Sequence, residues 1–140
     1  MTVERQRRML LRHGFIFLFL GACLGIATVF LPHPRAWRAT HVSTLLLCFT
    51  FSAIGLAWRE LRLTDGQRRT AFVTGFIAAY TGLASSMFSA AADLPGPASQ
   101  PGVPMPMPQG AIFLAMFAVI VPTTLISFGL VLFGMRGEAE

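Results

Sequence analysis

Apolar residues run through this chain in four long blocks, roughly Gly14 to Leu31, Val42 to Trp58, Ala71 to Ala92 and Ala111 to Met135, with polar residues gathered at their ends. A helix rises ~1.5 Å per residue, so about 20 residues cross a ~30 Å hydrocarbon core. Each block meets or nearly meets that length, and flanking residues complete the two shorter ones. The pattern predicts an all-α, integral membrane four-transmembrane-helix bundle occupying residues 1–140 as a single membrane domain. Between the third and fourth blocks, Asp93 to Gln109 is rich in Pro and Gly and has no basic residue, which predicts an exposed external loop. Its Met105 and Met107 lack a third soft ligand or a nearby His, so they read as loop residues rather than a copper site.

Within the blocks, small residues recur at helical spacing. His41, Thr44, Cys48, Ser52 and Gly55 make one stripe on the second helix, and Gly75, Ala79, Gly82, Ser86 and Ser89 make another on the third. The first helix carries a GxxxG between Gly21 and Gly25. Small side chains let helices approach closely in lipid, where burying more apolar surface gains nothing. They equally leave room for a flat apolar molecule wherever a neighbouring helix does not fill the space. Both uses stay open at this level. Pro122 removes a backbone hydrogen bond from the fourth helix, which predicts a local kink with Thr123, Thr124 or Ser127 placed to satisfy the freed carbonyl.

Composition supports the membrane assignment: with 54% hydrophobic and 12% charged residues, a soluble chain of this length would carry more apolar surface than it can bury. The formal charge of +5 raises nucleic acid as a partner, but all eleven basic residues are arginines at helix flanks, with no basic stripe interleaved with aromatics. No nucleic-acid partner is expected. Arg5, Arg7, Arg8, Arg12, Arg59, Arg62, Arg68, Arg69 and Arg136 fall on one side of the predicted membrane, against Arg35 and Arg38 on the other. The positive-inside rule then places both termini in the cytoplasm and the chain as a multi-pass protein of the inner (cytoplasmic) membrane. Arg7 and Arg8 before an apolar run resemble a secretory signal, yet the run is long and no cleavage pattern follows promptly, so it reads as a retained helix. Trp37 and Trp58 bracket the second helix at the spacing of an aromatic belt. Cys23 and Cys48 fall inside hydrocarbon and read as two buried thiols.

Reactive groups are few. There is no Lys for a Schiff base, no Gly-rich phosphate loop and no acidic pair within a block, since Glu4, Glu60, Asp65, Asp93, Glu138 and Glu140 all lie at ends or in loops. His13, His33, His41 and the single Tyr80 remain. His13 beside Arg12 reads as a headgroup residue, and His33 between two prolines as a loop residue. His41 opens the second helix and heads its small-residue stripe, three and six residues after Arg38 and Arg35. An imidazole there suits either an ordinary interfacial role or ligation of a metal or haem iron, with the arginines placed for propionates.

Several local patterns occur in a telling order. Arg12-His13-Gly14 leads into the first helix, Pro34-Arg35 precedes His41 by six residues, and Gly55-Leu56-Ala57-Trp58 then Leu61-Arg62-Leu63-Thr64 close the second helix. Ala71-Phe72 follows, with Tyr80 eight residues on, and then the Pro/Gly-rich loop. Over nearly its whole length the chain resembles a family of small four-helix membrane isomerases comprising hydroxylaminobenzene mutase and styrene-oxide isomerase. The resemblance implies a homo-oligomer, a trimer, in which His41 is the axial ligand of haem b. Ferric haem would serve as a Lewis acid toward an epoxide, giving an aldehyde by a 1,2-shift, while the mutase branch turns hydroxylaminobenzene into an aminophenol. Both are redox-neutral isomerisations of small aromatic substrates that partition into the lipid bilayer.

The chain departs from that pattern at three polar positions. Ser43 stands where the mutases carry Glu, Leu47 where both branches carry Asn, and Gly82 where an Asn is expected two residues beyond Tyr80. Ser86 corresponds roughly to a second tyrosine of the third helix. The expected site therefore comprises Tyr80 and Ser86 toward substrate, and His41, Arg35 and Arg38 toward haem. Two other classes stay open: a haem-binding membrane protein without isomerase activity, and a cofactor-free structural or transport subunit.

Overall fold

The computed structural model describes residues 1–92, 94 and 107–136. Four helices account for nearly all of them: α1 (Val3–Ala27), α2 (Pro34–Ala57), α3 (Asp65–Ala91) and α4 (Gln109–Gly134). Each is long and apolar enough to cross a membrane, and no strand occurs among the described residues. The predicted external loop lies almost wholly outside the described residues, as do Met105, Asp93, Glu138 and Glu140.

The helices outrun the apolar blocks because their polar flanks are good helix material. Thr2 caps α1, accepting from the Arg5 amide, and Glu4 accepts from Arg8 one turn later. Thr64 and Gln67 form a capping box at the start of α3. For α2 the extension has a consequence for the site: His41, expected to open the helix, is its eighth residue. It sits about 10 Å below the helix start rather than at the end.

Two hairpins make the bundle, α1 against α2 and α3 against α4, joined mainly through α2 and α3. Their seams differ. Along α1–α2, side chains fill the notches left by glycine: Leu45 covers Gly21, Leu10 and Leu11 cover Gly55, and Ser52 covers Gly14. An aromatic spine of Phe17, Phe51, Phe76, Phe72 and Trp58 then runs between α1, α2 and α3, with edge-to-face pairs at 5.1 Å. α4 stays largely exposed, as a helix facing lipid or another subunit would be.

The arginine-rich end is tied together by polar contacts. Arg68 is buried and donates to the Trp58 and Leu61 carbonyls at 2.5 and 2.7 Å, with its guanidinium over the Trp58 ring. Trp58 donates its indole N–H to Gln6, Arg59 donates to Glu4, and the Arg62 amide donates to the Gly134 carbonyl. These contacts gather the start of α1, the α2–α3 connection and the end of α4, the segments that carry the predicted cytoplasmic arginines, at one end of the bundle. They also revise the reading of Trp58, which is 1% exposed and packs in the core instead of standing in an interfacial belt. Its indole N–H is satisfied inside the protein by Gln6, a partner that hydropathy does not reveal.

Around Pro122 the helix runs on to Gly134. Thr123 turns its hydroxyl to the Val119 and Ile120 carbonyls, while Ser127 instead crosses to α3 and donates to the Ala71 carbonyl at 2.9 Å.

Candidate functional site

His41 packs against the GxxxG of α1. Its Nδ1 lies 2.7 Å from the Gly21 carbonyl oxygen, and a Cβ on Gly25 would come within 2.9 Å of its Cε1. A carbonyl only accepts, so Nδ1 carries the proton and donates. Nε2 is then left with the lone pair. The glycine at 25 is what admits the ring, so this part of the α1 motif serves an imidazole rather than bare helix contact. Arg38 and Arg35 stand one and two turns earlier on α2, both exposed.

A cavity of about 330 Å³ lies on the other side of α2, lined by α2, α3 and α4 with Leu10 of α1. Its upper limit is a bridge in which Thr40 Oγ1 lies 3.2 Å from the Ser86 carbonyl oxygen and 2.9 Å from Ser86 Oγ. Thr40 Oγ1 also lies 3.2 Å from the Ala36 carbonyl oxygen of its own helix, and either hydroxyl of the Thr40–Ser86 pair can be the donor. Leu10, Trp58 and Phe72 line its lower part. The small residues of α3 create the space: Gly75, Ala79, Gly82 and Ser86 all line it, and a Cβ on Gly82 would meet nothing within 4 Å. No charged side chain contributes to the lining, so a neutral occupant fits and an ion does not.

Ser43, Leu47 and Gly82, the positions at which the resemblance implied polar side chains, converge on this same cavity. Ser43 donates to its own helix at Ala39, and neither Leu47 nor Gly82 offers a polar side-chain atom.

Tyr80 stands apart from it. Its hydroxyl lies 2.5 Å from His13 Nδ1, beside Phe17 and Phe76, and the residue is 39% exposed. The expected site residues thus fall into three places: His41 with the two arginines on the α1 side of α2, Ser86 at the cavity roof, and Tyr80 on the α1–α3 face. Sequence reasoning missed His13 as Tyr80's partner. The signal was present in the spacing, since His13 and Phe17 on α1 and Phe76 and Tyr80 on α3 are each four apart and form facing pairs.

Among the described residues, no three His, Cys, Asp or Glu side chains are grouped as ligands for a metal ion. A family model described as styrene oxide isomerase matches residues 6–136. No curated protein matches the chain, and no solved structure does.

Proposed function

The chain belongs to the styrene oxide isomerase family, and from that premise we propose that it is a membrane-embedded isomerase of small apolar aromatic compounds, rearranging an epoxide to an aldehyde or a hydroxylamine to an aminophenol. One observation carries this reading: Ser43 and Leu47, one turn apart on α2, meet Gly82 and Ser86, one turn apart on α3 and 35 or more residues further along the chain, around one uncharged cavity inside the bundle. Redox-neutral rearrangement needs a dry, shaped space more than it needs a battery of ionisable groups. The cavity supplies such a space in the solvent where the substrates dissolve.

For haem b, the donor chemistry of His41 fits. A single imidazole with its Nδ1 proton committed to Gly21 would offer Nε2 to a haem iron, and Arg35 and Arg38 would be the candidates for its propionates. When bound at His41, on the opposite side of α2 from the cavity, ferric haem would supply a Lewis acid to a substrate oxygen that reaches that face. The chain's own residues do the rest: the α2–α3–α4 lining excludes water, and Ser86 holds the roof of the cavity. Tyr80 is able to donate to a substrate oxygen only when His13 bears its proton on Nδ1 and leaves the phenolic hydrogen free.

Detergent-purified protein incubated with styrene oxide, with phenylacetaldehyde read by gas chromatography and haem by its Soret band, tests both parts. Rearrangement together with a Soret band, both lost in His41→Ala, is the expected result. Colourless and inactive protein removes the proposal. A Soret band without rearrangement of styrene oxide or hydroxylaminobenzene establishes the second reading, a haem protein without isomerase activity, which the self-bonded Ser43 and apolar Leu47 and Gly82 favour. The proposal extends to a homo-oligomer, a trimer by resemblance, read by native mass spectrometry. Both termini lie in the cytoplasm on this reading, and reporter fusions at each end check it.

A further inference from the structure

The cavity is a slot. It runs from Ser43 to Trp58 along α2, about 22 Å at helical rise, within only about 330 Å³. Six lining residues carry hydroxyls, and four of them are committed: Ser43 to Ala39, Thr44 to Thr40, Ser86 to Thr40 and Ser127 to Ala71. Thr50 on α2 and Thr124 on α4 make no hydrogen bond among the described residues. Both lie between the Ser127 contact below and the Thr40–Ser86 bridge above. Both are lining residues, half-buried, whose hydroxyls have no partner among the described residues, in an apolar slot within helices long enough to span a membrane, where an unmade hydrogen bond costs most.

We infer that Thr50 and Thr124 form a binding subsite for a neutral, mainly apolar molecule bearing one oxygen or nitrogen, and that this molecule reaches it from the bilayer between α2 and α4. The route follows from the packing. α2 packs on α1 and α3, and α4 on α3, while α2 and α4 line one cavity without packing along each other. Leu46 and Phe128, 60% and 43% exposed, belong to that lining and stand at its lipid side. A lipid acyl chain is the rival occupant. It would keep its polar head at the interface and bring only methylene groups to Thr50 and Thr124, leaving both hydroxyls unmet. The subsite rests on the reading of this cavity as the substrate space, and it is separate from His41.

Benzophenone, a neutral two-ring ketone that photolabels adjacent C–H bonds, is a suitable probe for the full-length protein in detergent micelles, with adducts located by peptide mass spectrometry. Adducts are expected on the cavity-facing parts of α2, α3 and α4. Gly82→Leu, which grows into open space, is expected to cut this labelling at least fivefold. Gly129→Leu, equally unobstructed but outside the cavity, leaves it unchanged. The near-isosteric pair Thr50→Val with Thr124→Val is expected to lower labelling about tenfold at limiting probe. Even labelling over the exposed helix faces, or labelling indifferent to Gly82→Leu, overturns the subsite. Labelling sensitive to Gly82→Leu but indifferent to the double valine change overturns it in favour of an acyl-chain slot. Because the readout needs neither haem nor turnover, a failed isomerase assay with intact labelling sinks only the reaction, and the reverse sinks only the subsite.

Discussion

Two seams of this bundle are built from the same small residues and end in opposite states. Between α1 and α2 every glycine notch is filled, by Ser52, Leu45, His41 or Leu10 and Leu11. Along α3, Gly75 is met by Ser127, but Gly82 about two turns further on is met by nothing, and the space beside it is the cavity. A small residue removes an obstruction without supplying a contact. Whether the gap closes depends on the helix opposite, and α4, tied to α3 through Ser127, does not lean far enough toward α2 to close it.

The largest expected effect lies in the filled seam. In Gly14→Leu, the new Cβ starts 2.5 Å from Ser52 Oγ and 3.3 Å from the Cys48 carbonyl oxygen and Ser52 nitrogen, so backbone as well as side chain must move. Overpacking of that kind costs about 1–3 kcal/mol, to be read as a shift in denaturant-induced unfolding in detergent. Next comes Gly25→Val, whose Cβ would press on the His41 ring and break its bond to Gly21. Loss of an orienting partner typically weakens ligation ~10-fold or more, so haem titration followed at the Soret band is expected to show that loss, and unchanged titration would detach the α1 motif from His41. Ser127→Ala removes the hydrogen bond that docks α4 onto Ala71 and is expected to cost about 1 kcal/mol. The smallest effect belongs to the open seam: Gly82→Leu is expected to change stability by less than about 0.5 kcal/mol. A cost as large as that of Gly14→Leu would mean that the two seams are equally closed.

Hydropathy made the four helices legible, and the arginine clusters marked one end of the bundle, because both follow from transfer energies that each residue carries alone. Helix ends were less legible. Residues 34–41 are too polar to count toward a span, yet they are helical, and they carry His41 from the edge of α2 into its body. Trp58 shows the same limit in reverse, since its composition suits an interface but Gln6, Arg68 and Phe72 make it a core residue. Of the candidate site, His41 and Ser86 were proposed from pattern and resemblance. Thr50 and Thr124 were not, since nothing about an isolated threonine says whether its hydroxyl will be used by its own helix.

The sequence by itself determined four helices long and apolar enough to cross a membrane, carrying hydroxyls and a few imidazoles but no acidic pair within an apolar block. Those are properties of single residues summed over a helix length. Only the tertiary structure decided that His41 spends its Nδ1 proton on Gly21, that Tyr80 is joined to His13, and that the gap beside Gly82 stays open. Each of these depends on which side chain arrives from a neighbouring helix, and in a membrane, where apolar burial between helices gains little, that is settled by local fit.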